Sequence, residues 1–279
     1  MRLRSKGTGR GGWLIPLFFF LFSALPWEGG GHTVVKVIDG DTAVLENGVV
    51  LRYLGINAPE RQEPFYREAA KVNERLTLRK KVRLEFEAGC LYDRGGRFLA
   101  YVFSGPEFVN ASLIREGMAH LFCLQPLKYY GLFYSLQEEA REERRGIWGS
   151  RDFWGPLKIT TVKGDAPGDD RYNLNGEYVR ICNISPGLVE LRGFRLCNRR
   201  GLCYTFRMGR LLPGYTALVF SGKGKDEIHG HQLKFFWNSP YPVWRNKGDK
   251  ATLFDPSGRP ISSFRFRPLR GRAPLRPLR

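Results

Sequence analysis

Five polar residues that could do chemistry together fall in one short stretch near the start of this chain. Lys36 to Glu60 reads KVIDGDTAVLENGVVLRYLGINAPE, and it holds Asp39, Asp41, Arg52, Asn57 and Glu60. Carboxylates hold hard cations through oxygen. A guanidinium grips a phosphate with paired hydrogen bonds. A further acid within reach of water can take its proton. These residue types suit hydrolysis of a phosphodiester.

The elements around them must bring the polar groups to one place. Val34-Val35, Val37-Ile38, Ala43 to Leu45 and Val49 to Leu54 are rich in β-formers, and Asp39-Gly40 and Asn47-Gly48 favour tight turns between them. A tight meander is expected. Phe65, Ala69, Val72 and Leu76 recur at helical spacing after Pro64, which predicts an amphipathic helix. Lys81 to Glu87 alternates with period two, and Arg97 to Phe103 is a further β-rich run. Val109 to Gly117 reads as a short helix closed by glycine, and Tyr129 to Arg145 as a third helix with Leu132, Leu136 and Ala140 on one stripe. Five or so strands with helices predict a small β-barrel over 31–149.

From Ile159 the helical signals stop. Short β runs recur every 8–12 positions: Tyr178–Cys182, Leu188–Leu191, Arg195–Cys197, Tyr204–Phe206, Tyr215–Phe220, Ala251–Phe254 and Ile261–Phe264. That pattern predicts a β-sandwich over 159–267, joined to the barrel by a Pro/Gly-containing linker over 150–158. A length of 279 residues with 42% apolar residues suits two such cores.

Charge separates the two halves. The formal net charge is +18, but residues 31–150 carry 17 basic against 16 acidic residues, whereas 151–279 carry 24 against 10. So cationic a second half points to a polyanion, either nucleic acid or an anionic cell envelope. The end, 268–279, is a basic Pro/Arg-rich tail. Residues 1–30 place Arg2, Arg4, Lys6 and Arg10 before an apolar run, Trp13 to Leu25, which Pro16 interrupts. That run is shorter than the ~20 residues a spanning helix needs, so an export signal is expected, with a retained N-terminal anchor as the alternative. The chain is then secreted, periplasmic or attached to the envelope. Of five cysteines, Cys197 and Cys203 flank a turn and could bridge a hairpin; Cys90, Cys123 and Cys182 have no obvious mates. No C-x-x-C occurs, His32, His120, His229 and His231 form no zinc pattern, and no small-molecule cofactor is expected.

The first half resembles the staphylococcal nuclease (thermonuclease-like) family. The resemblance rests on IDGDT at Ile38–Thr42, LRYLGINAPE at Leu51–Glu60, DRGGRFLAY at Asp93–Tyr101, VNASLIREG at Val109–Gly117 and the closing Gly146-Ile147-Trp148. It implies an OB-type five-stranded β-barrel with three helices. It also implies Ca2+ held by Asp41, the side chain of Asn57 and the carbonyl of Ala58, with Asp39 nearby and Thr42 supporting the turn. Glu60 takes the place of the catalytic acid, and Arg52 and Arg97 those of the two phosphate-holding arginines. Two departures stand out. Asn57 replaces a usual aspartate and removes one charge from the metal site, and Cys123 and Gln125 stand where tyrosines would line a base pocket.

The second half resembles the lamin tail domain, an immunoglobulin-like β-sandwich, through NGEYVRICN at Asn175–Asn183, Leu191-Arg192-Gly193-Phe194, Leu212-Pro213-Gly214, Phe220-Ser221-Gly222, Val243-Trp244, Asn246 to Asp249 and Ala251-Thr252-Leu253. A tryptophan usual in this family is Phe194 here. No catalysis is implied for this half, and Glu177, Asp249 and Asp255 are expected in turns and edges. The whole is expected to be mainly β with some α, and to be an exported Ca2+-dependent nuclease acting on DNA, with RNA open, and with little sequence specificity. The alternative is a non-catalytic binder of nucleic acid or envelope whose metal site Asn57 has disabled.

Overall fold

The computed structural model describes residues 31–93 and 95–266, so the expected leader and basic tail lie outside the described residues. In the first half, β1 (His32–Asp39), β2 (Thr42–Leu45) and β3 (Val50–Tyr53) form the expected meander. A two-residue strand β4 (Ile56–Asn57) follows, then α1 (Tyr66–Thr77), β5 (Lys81–Glu85), β6 (Phe98–Ser104), β7 (Glu107–Phe108), α2 (Val109–Arg115), β8 (His120–Leu121) and α3 (Tyr130–Glu142). β1 pairs with β2 and β5, β2 with β3, and β5 with β6; the parallel pairing of β3 with β6 closes five strands into a barrel. That pairing sets Arg52 beside Leu99, so Arg97, two residues earlier, lies at the same barrel end.

The three helices are tied to the strands by buried amide side chains as well as by apolar contacts. Asn73 of α1 donates to the Asp39 carbonyl and accepts from the Tyr53 hydroxyl. Asn110 of α2 accepts from Val102 N–H and donates to the Leu54 carbonyl. Gln137 of α3 accepts from Leu121 N–H. Each amide satisfies a backbone group that a barrel end would otherwise strand in an apolar core. Between β1 and β2 the hairpin tip is forced inward: a Cβ on Gly40 would lie 2.6 Å from the Cβ atoms of both Ala58 and Ala69. Only glycine lets Asp39 and Asp41 sit against β4 and α1.

In the second half, β9 (Leu157–Lys163), β10 (Tyr178–Asn183), β11 (Val189–Glu190), β12 (Arg195–Cys197), β13 (Cys203–Thr205), β14 (Arg210–Leu211), β15 (Thr216–Phe220), β16 (Gln232–Phe236), β17 (Asp249–Phe254) and β18 (Pro260–Phe266) follow. They form two four-stranded sheets, β16-β15-β10-β9 and β13-β12-β17-β18, with β11 and β14 as a separate pair. Ile159, Val179, Ile181, Leu196, Phe206, Phe235, Trp244 and Leu253 fill the space between them. Phe194 packs in that core, buried as a tryptophan would be. β9, β14 and β16 were not among the expected strands. β16 lies behind a Gly/Lys/His-rich loop, and β9 lies partly in the stretch taken as linker. Within 150–158, Phe153 is buried and Leu157 and Lys158 already belong to β9. Cys197 and Cys203 face each other across β12 and β13 and form a disulfide, while Cys90, Cys123 and Cys182 are free. Glu177 is buried and accepts from Val243 N–H, and Asp255 accepts from Ser257 and Arg259, so both do structural work.

Barrel and sandwich are docked. Trp148, Phe153, Cys182 and Ile184 share a small core with Phe65 and Phe122. Cys123 N–H donates to the Gly214 carbonyl at 2.7 Å, and the Tyr130 and Tyr134 hydroxyls donate to the Pro213 and Pro186 carbonyls. A Cβ on Gly214 would lie 2.4 Å from Leu121 Cγ, at φ +78°. Gly214→Ala therefore combines a left-handed backbone with overpacking at the interface. Gly230→Ala, at φ +103° with open space around it, carries the backbone cost alone. Gly214→Ala is expected to destabilise by about 1–3 kcal/mol more than Gly230→Ala in chemical denaturation. Equal losses would mean that the interface yields freely.

Candidate active site

The site is built where the β1–β2 hairpin, β3, β4 and the loop before β6 meet. Arg52, near the end of β3, is buried, and its guanidinium spreads four bonds. One terminal nitrogen donates to the carbonyls of Tyr53 (2.7 Å) and Ile56 (2.9 Å). The other donates to Asn57 Oδ1 (2.9 Å) and pairs with Asp41 Oδ2 (3.0 Å). The oxygens of Asp41 and Asn57 thus sit side by side on one nitrogen. Asp41 is further held by Ala58 N–H and by the Thr42 hydroxyl. Burial pushes its carboxyl up to about 6, against the pull of Arg52 and with a push from Asp39.

Asn57 is oriented from both ends. Arg52 donates to its oxygen, and its Nδ2 faces His120 Nε2 at 3.4 Å and the Ala58 carbonyl at 3.3 Å. His120 is buried; its Nδ1 donates to the Leu121 carbonyl, so the neutral ring leaves Nε2 as acceptor. Burial, then the cations Lys158, Arg52 and Arg141, lower its pKa to about 3, so it carries no charge near neutrality. β4 and β8 place the two side by side, with Asn57 paired to His120.

Arg97 enters from the loop before β6 and keeps two-fifths of its side chain exposed. Asp93 holds it at 2.6 Å and caps its own loop through Gly95 and Arg97 N–H. Burial acts against the Asp93 carboxylate, but these bonds and the Arg97 charge hold it below its ordinary value. Glu60 lies beyond Pro59, on a loop fixed by Glu60 N–H donating to Glu63 Oε2. Burial of the carboxyl, then Asp41, Asp39 and Glu63, push its pKa up to about 7. The residue as a whole keeps open contact with solvent, which tempers the shift.

Asp39, Asp41, Arg52, Asn57, Glu60 and Arg97 all line one cavity of about 160 Å³. Ala58 lies behind it, its N–H on Asp41. Gln125 lines the cavity too, whereas Cys123 is buried in the interface, so neither position offers an aromatic ring for a base. The sequence pattern missed residues of the sandwich that reach this place. Arg180 and Thr161, on β10 and β9, line the same cavity. Lys158 of β9 pairs with Glu63 at 2.5 Å, almost wholly buried, and so fastens the Glu60 loop to the second half. Alternation along β10 puts Arg180 on the face opposite the buried Val179 and Ile181. That much was legible, but which domain that face meets was not.

The donor set suits a hard divalent cation. Asp39, Asp41, the Asn57 amide and the Ala58 carbonyl supply only oxygens; burial, with a push from Asp39, raises the proton affinity of Asp41, and burial, then the Asp41 and Asp39 charges, raise that of Glu60. Among the described residues no three His, Cys, Asp or Glu side chains gather at metal-ligating spacing. A cation here would therefore rest on few protein ligands, with water completing its shell.

The sequence model of the family described as Staphylococcal nuclease homologue matches residues 50–150, and that of the Lamin Tail Domain matches residues 154–267. The chain is 35% identical to the SPbeta prophage-derived endonuclease YokF of Bacillus subtilis, over 43% of this chain and 45% of that protein. It is 33% identical to Endonuclease YncB of the same organism, over 43% of this chain and 63% of that one. It is also 33% identical to the Thermonuclease of Staphylococcus hyicus, over 43% of this chain and 76% of that protein. The chain thus spans 45% and 63% of the two Bacillus proteins.

The buried Lys158–Glu63 pair is the joint most open to test. Lys158→Met, which strands the Glu63 carboxylate, is expected to destabilise by about 3–5 kcal/mol, and adding Glu63→Gln to recover much of that. Additive losses in denaturant titrations of the double-mutant cycle would show that the pair does not join the two halves.

Proposed function

We propose, since this chain belongs to the staphylococcal nuclease homologue family and carries a lamin tail domain behind it, that it is an exported, Ca2+-dependent nuclease. It would hydrolyse phosphodiester bonds of DNA, with RNA within the same chemistry, and with little sequence specificity. One observation carries the reading: three arginines and four carboxylates converge on one small cavity from separate strands and loops. A binder has no need of an acid with a raised pKa in the same cavity as a partly exposed arginine.

The residues divide the work. Arg97, tethered on one side by Asp93, turns its remaining N–H groups to a phosphate oxygen. Arg52 has four N–H committed to protein, which leaves Nε–H for the phosphate and makes its main task the placing of Asp41 and Asn57. Arg180 adds a cation to the wall. Glu60, its affinity for a proton raised, takes the proton from the attacking water as the new P–O bond forms and the old one breaks. Asp41, Asp39, the Asn57 amide and the Ala58 carbonyl would hold Ca2+, which when bound supplies charge to a phosphate oxygen that gains it in the transition state. With no aromatic ring at Cys123 or Gln125, the bases go unread, in keeping with low specificity.

Export is supported by the basic and apolar leader and by the Cys197–Cys203 disulfide, a bond suited to an oxidising compartment. The cationic second half would hold polyanions near the site, and an anionic envelope is the other surface it suits.

Plasmid and single-stranded DNA incubated with the mature protein are expected to be cut in Ca2+ and left whole in chelator. Glu60→Gln is expected to lower kcat by about 10²–10⁴-fold without changing oligonucleotide binding in chelator; cleavage at the parental rate would remove Glu60 as the base. A parent that binds DNA yet never cuts it would favour the non-catalytic binder. Asn57→Asp restores a charge beside Asp41 and is expected to tighten Ca2+ about tenfold in calorimetric titration; unchanged affinity would take position 57 out of the ligand set.

A further inference from the structure

The sandwich does more to the site than lend it net charge. Between barrel and sandwich lies a groove of about 790 Å³ that shares Glu60 with the catalytic cavity, so the two spaces meet at that carboxylate. One wall is the Glu60 to Glu63 loop and the Arg151–Asp152 turn. The other is the outer face of β17 and β18. Along β17, Ala251 and Leu253 are buried in the core, which turns Lys250 and Thr252 outward into the groove.

The register on that face is unusual. Lys250 stands directly opposite Arg265, and Thr252 directly opposite Ser263. Two like charges directly opposed across a strand pair are destabilising by themselves. Among the described residues, none of Arg61, Arg151, Lys250 and Arg265 is in an ion pair, whereas Lys158 in the same groove is spent on Glu63. Four cations without carboxylate partners, two of them set against each other and backed by a pair of hydroxyls, make a surface that an anionic chain relieves. Glu60 at the junction makes that chain the substrate itself.

We infer that this groove is the track of a single nucleic-acid strand leaving the scissile phosphate, with Lys250 and Arg265 as its phosphate contacts on the sandwich. The inference rests on the phosphodiesterase reading of the cavity, and it names the site at which the second half meets substrate. A single strand is the occupant because the cavity it must also enter holds only about 160 Å³, room for one phosphodiester and not for a duplex. The contacts are to backbone, so the track adds affinity without reading sequence.

The test is fluorescence anisotropy of labelled oligothymidylates in chelator, over a series of salt concentrations, using the full mature chain. The probes are a dinucleotide and a strand of about 12 nucleotides. Lys250→Gln/Arg265→Gln is expected to flatten the plot of log affinity against log salt by about 1.4 for the long strand, and to leave the dinucleotide unaffected. Lys250→Arg/Arg265→Lys keeps both charges and is expected to keep the parental slope, which separates lost contacts from lost folding. Arg192→Gln/Arg207→Gln removes the same charge outside the groove and is expected to leave the slope within a few tenths of the parent. An unchanged slope in the first variant, or an equal change in the outside pair, would overturn the track; so would a change seen with duplex and not with single strand. Because binding is read without metal, a chain that proves unable to cut would sink the nuclease reading and leave this result standing on its own.

Discussion

One buried guanidinium carries the geometry of this site. Arg52 is bonded to two backbone carbonyls, one amide and one carboxylate, and these belong to β3, β4 and the turn between β1 and β2. A carboxylate as deeply buried as Asp41 costs several kcal/mol unless it is paired, and Arg52 is what pairs it. Everything else at the barrel end follows from that need. Gly40 has no Cβ so that the hairpin can come close enough, and Asn57 lies where its oxygen takes a share of the same nitrogen. His120 stays neutral because burial disfavours a charge there, and the neighbouring cations add to that.

That arrangement changes what Asn57 means. As a lost carboxylate it reads as a weakened metal ligand. In place it is a neutral bridge, accepting from Arg52 and presenting Nδ2 to His120 and the Ala58 carbonyl. An aspartate could accept from Arg52 but could donate nothing to His120. The amide therefore fits the neutral imidazole beside it, and the loss of one ligand charge is offset by a more fully satisfied hydrogen-bond network.

The second half is a structural part of the site. Lys158 reaches through Glu63 to the loop that carries Glu60, and Arg180 shares the cavity with Arg97. The docking is made of main-chain contacts at Gly214, tyrosine hydroxyls on prolyl carbonyls and a small aromatic core. These contacts bring the two domains together, and the groove lies between them.

Much of this was legible in the residues alone. Alternation and turn dipeptides located the meander, helical spacing placed α1 and α3, and the spacing of Cys197 and Cys203 around a turn foretold their bond, because each of these depends on neighbours in the chain. The same local logic gathered Asp39, Asp41, Arg52, Asn57 and Glu60. It missed β9 and β16, the first hidden in a stretch read as linker, the second standing behind a loop that resembles solvent-exposed chain. What only the tertiary structure decided is where distant surfaces meet. The parallel pairing of β3 and β6 brings Arg97 to Arg52; domain docking brings Lys158 and Arg180 to Glu60; the β17–β18 register sets Lys250 against Arg265. Sequence determines which face of a strand is polar, since that is a matter of period two. Which partner that face finds depends on packing between elements far apart in the chain, and no local pattern encodes it.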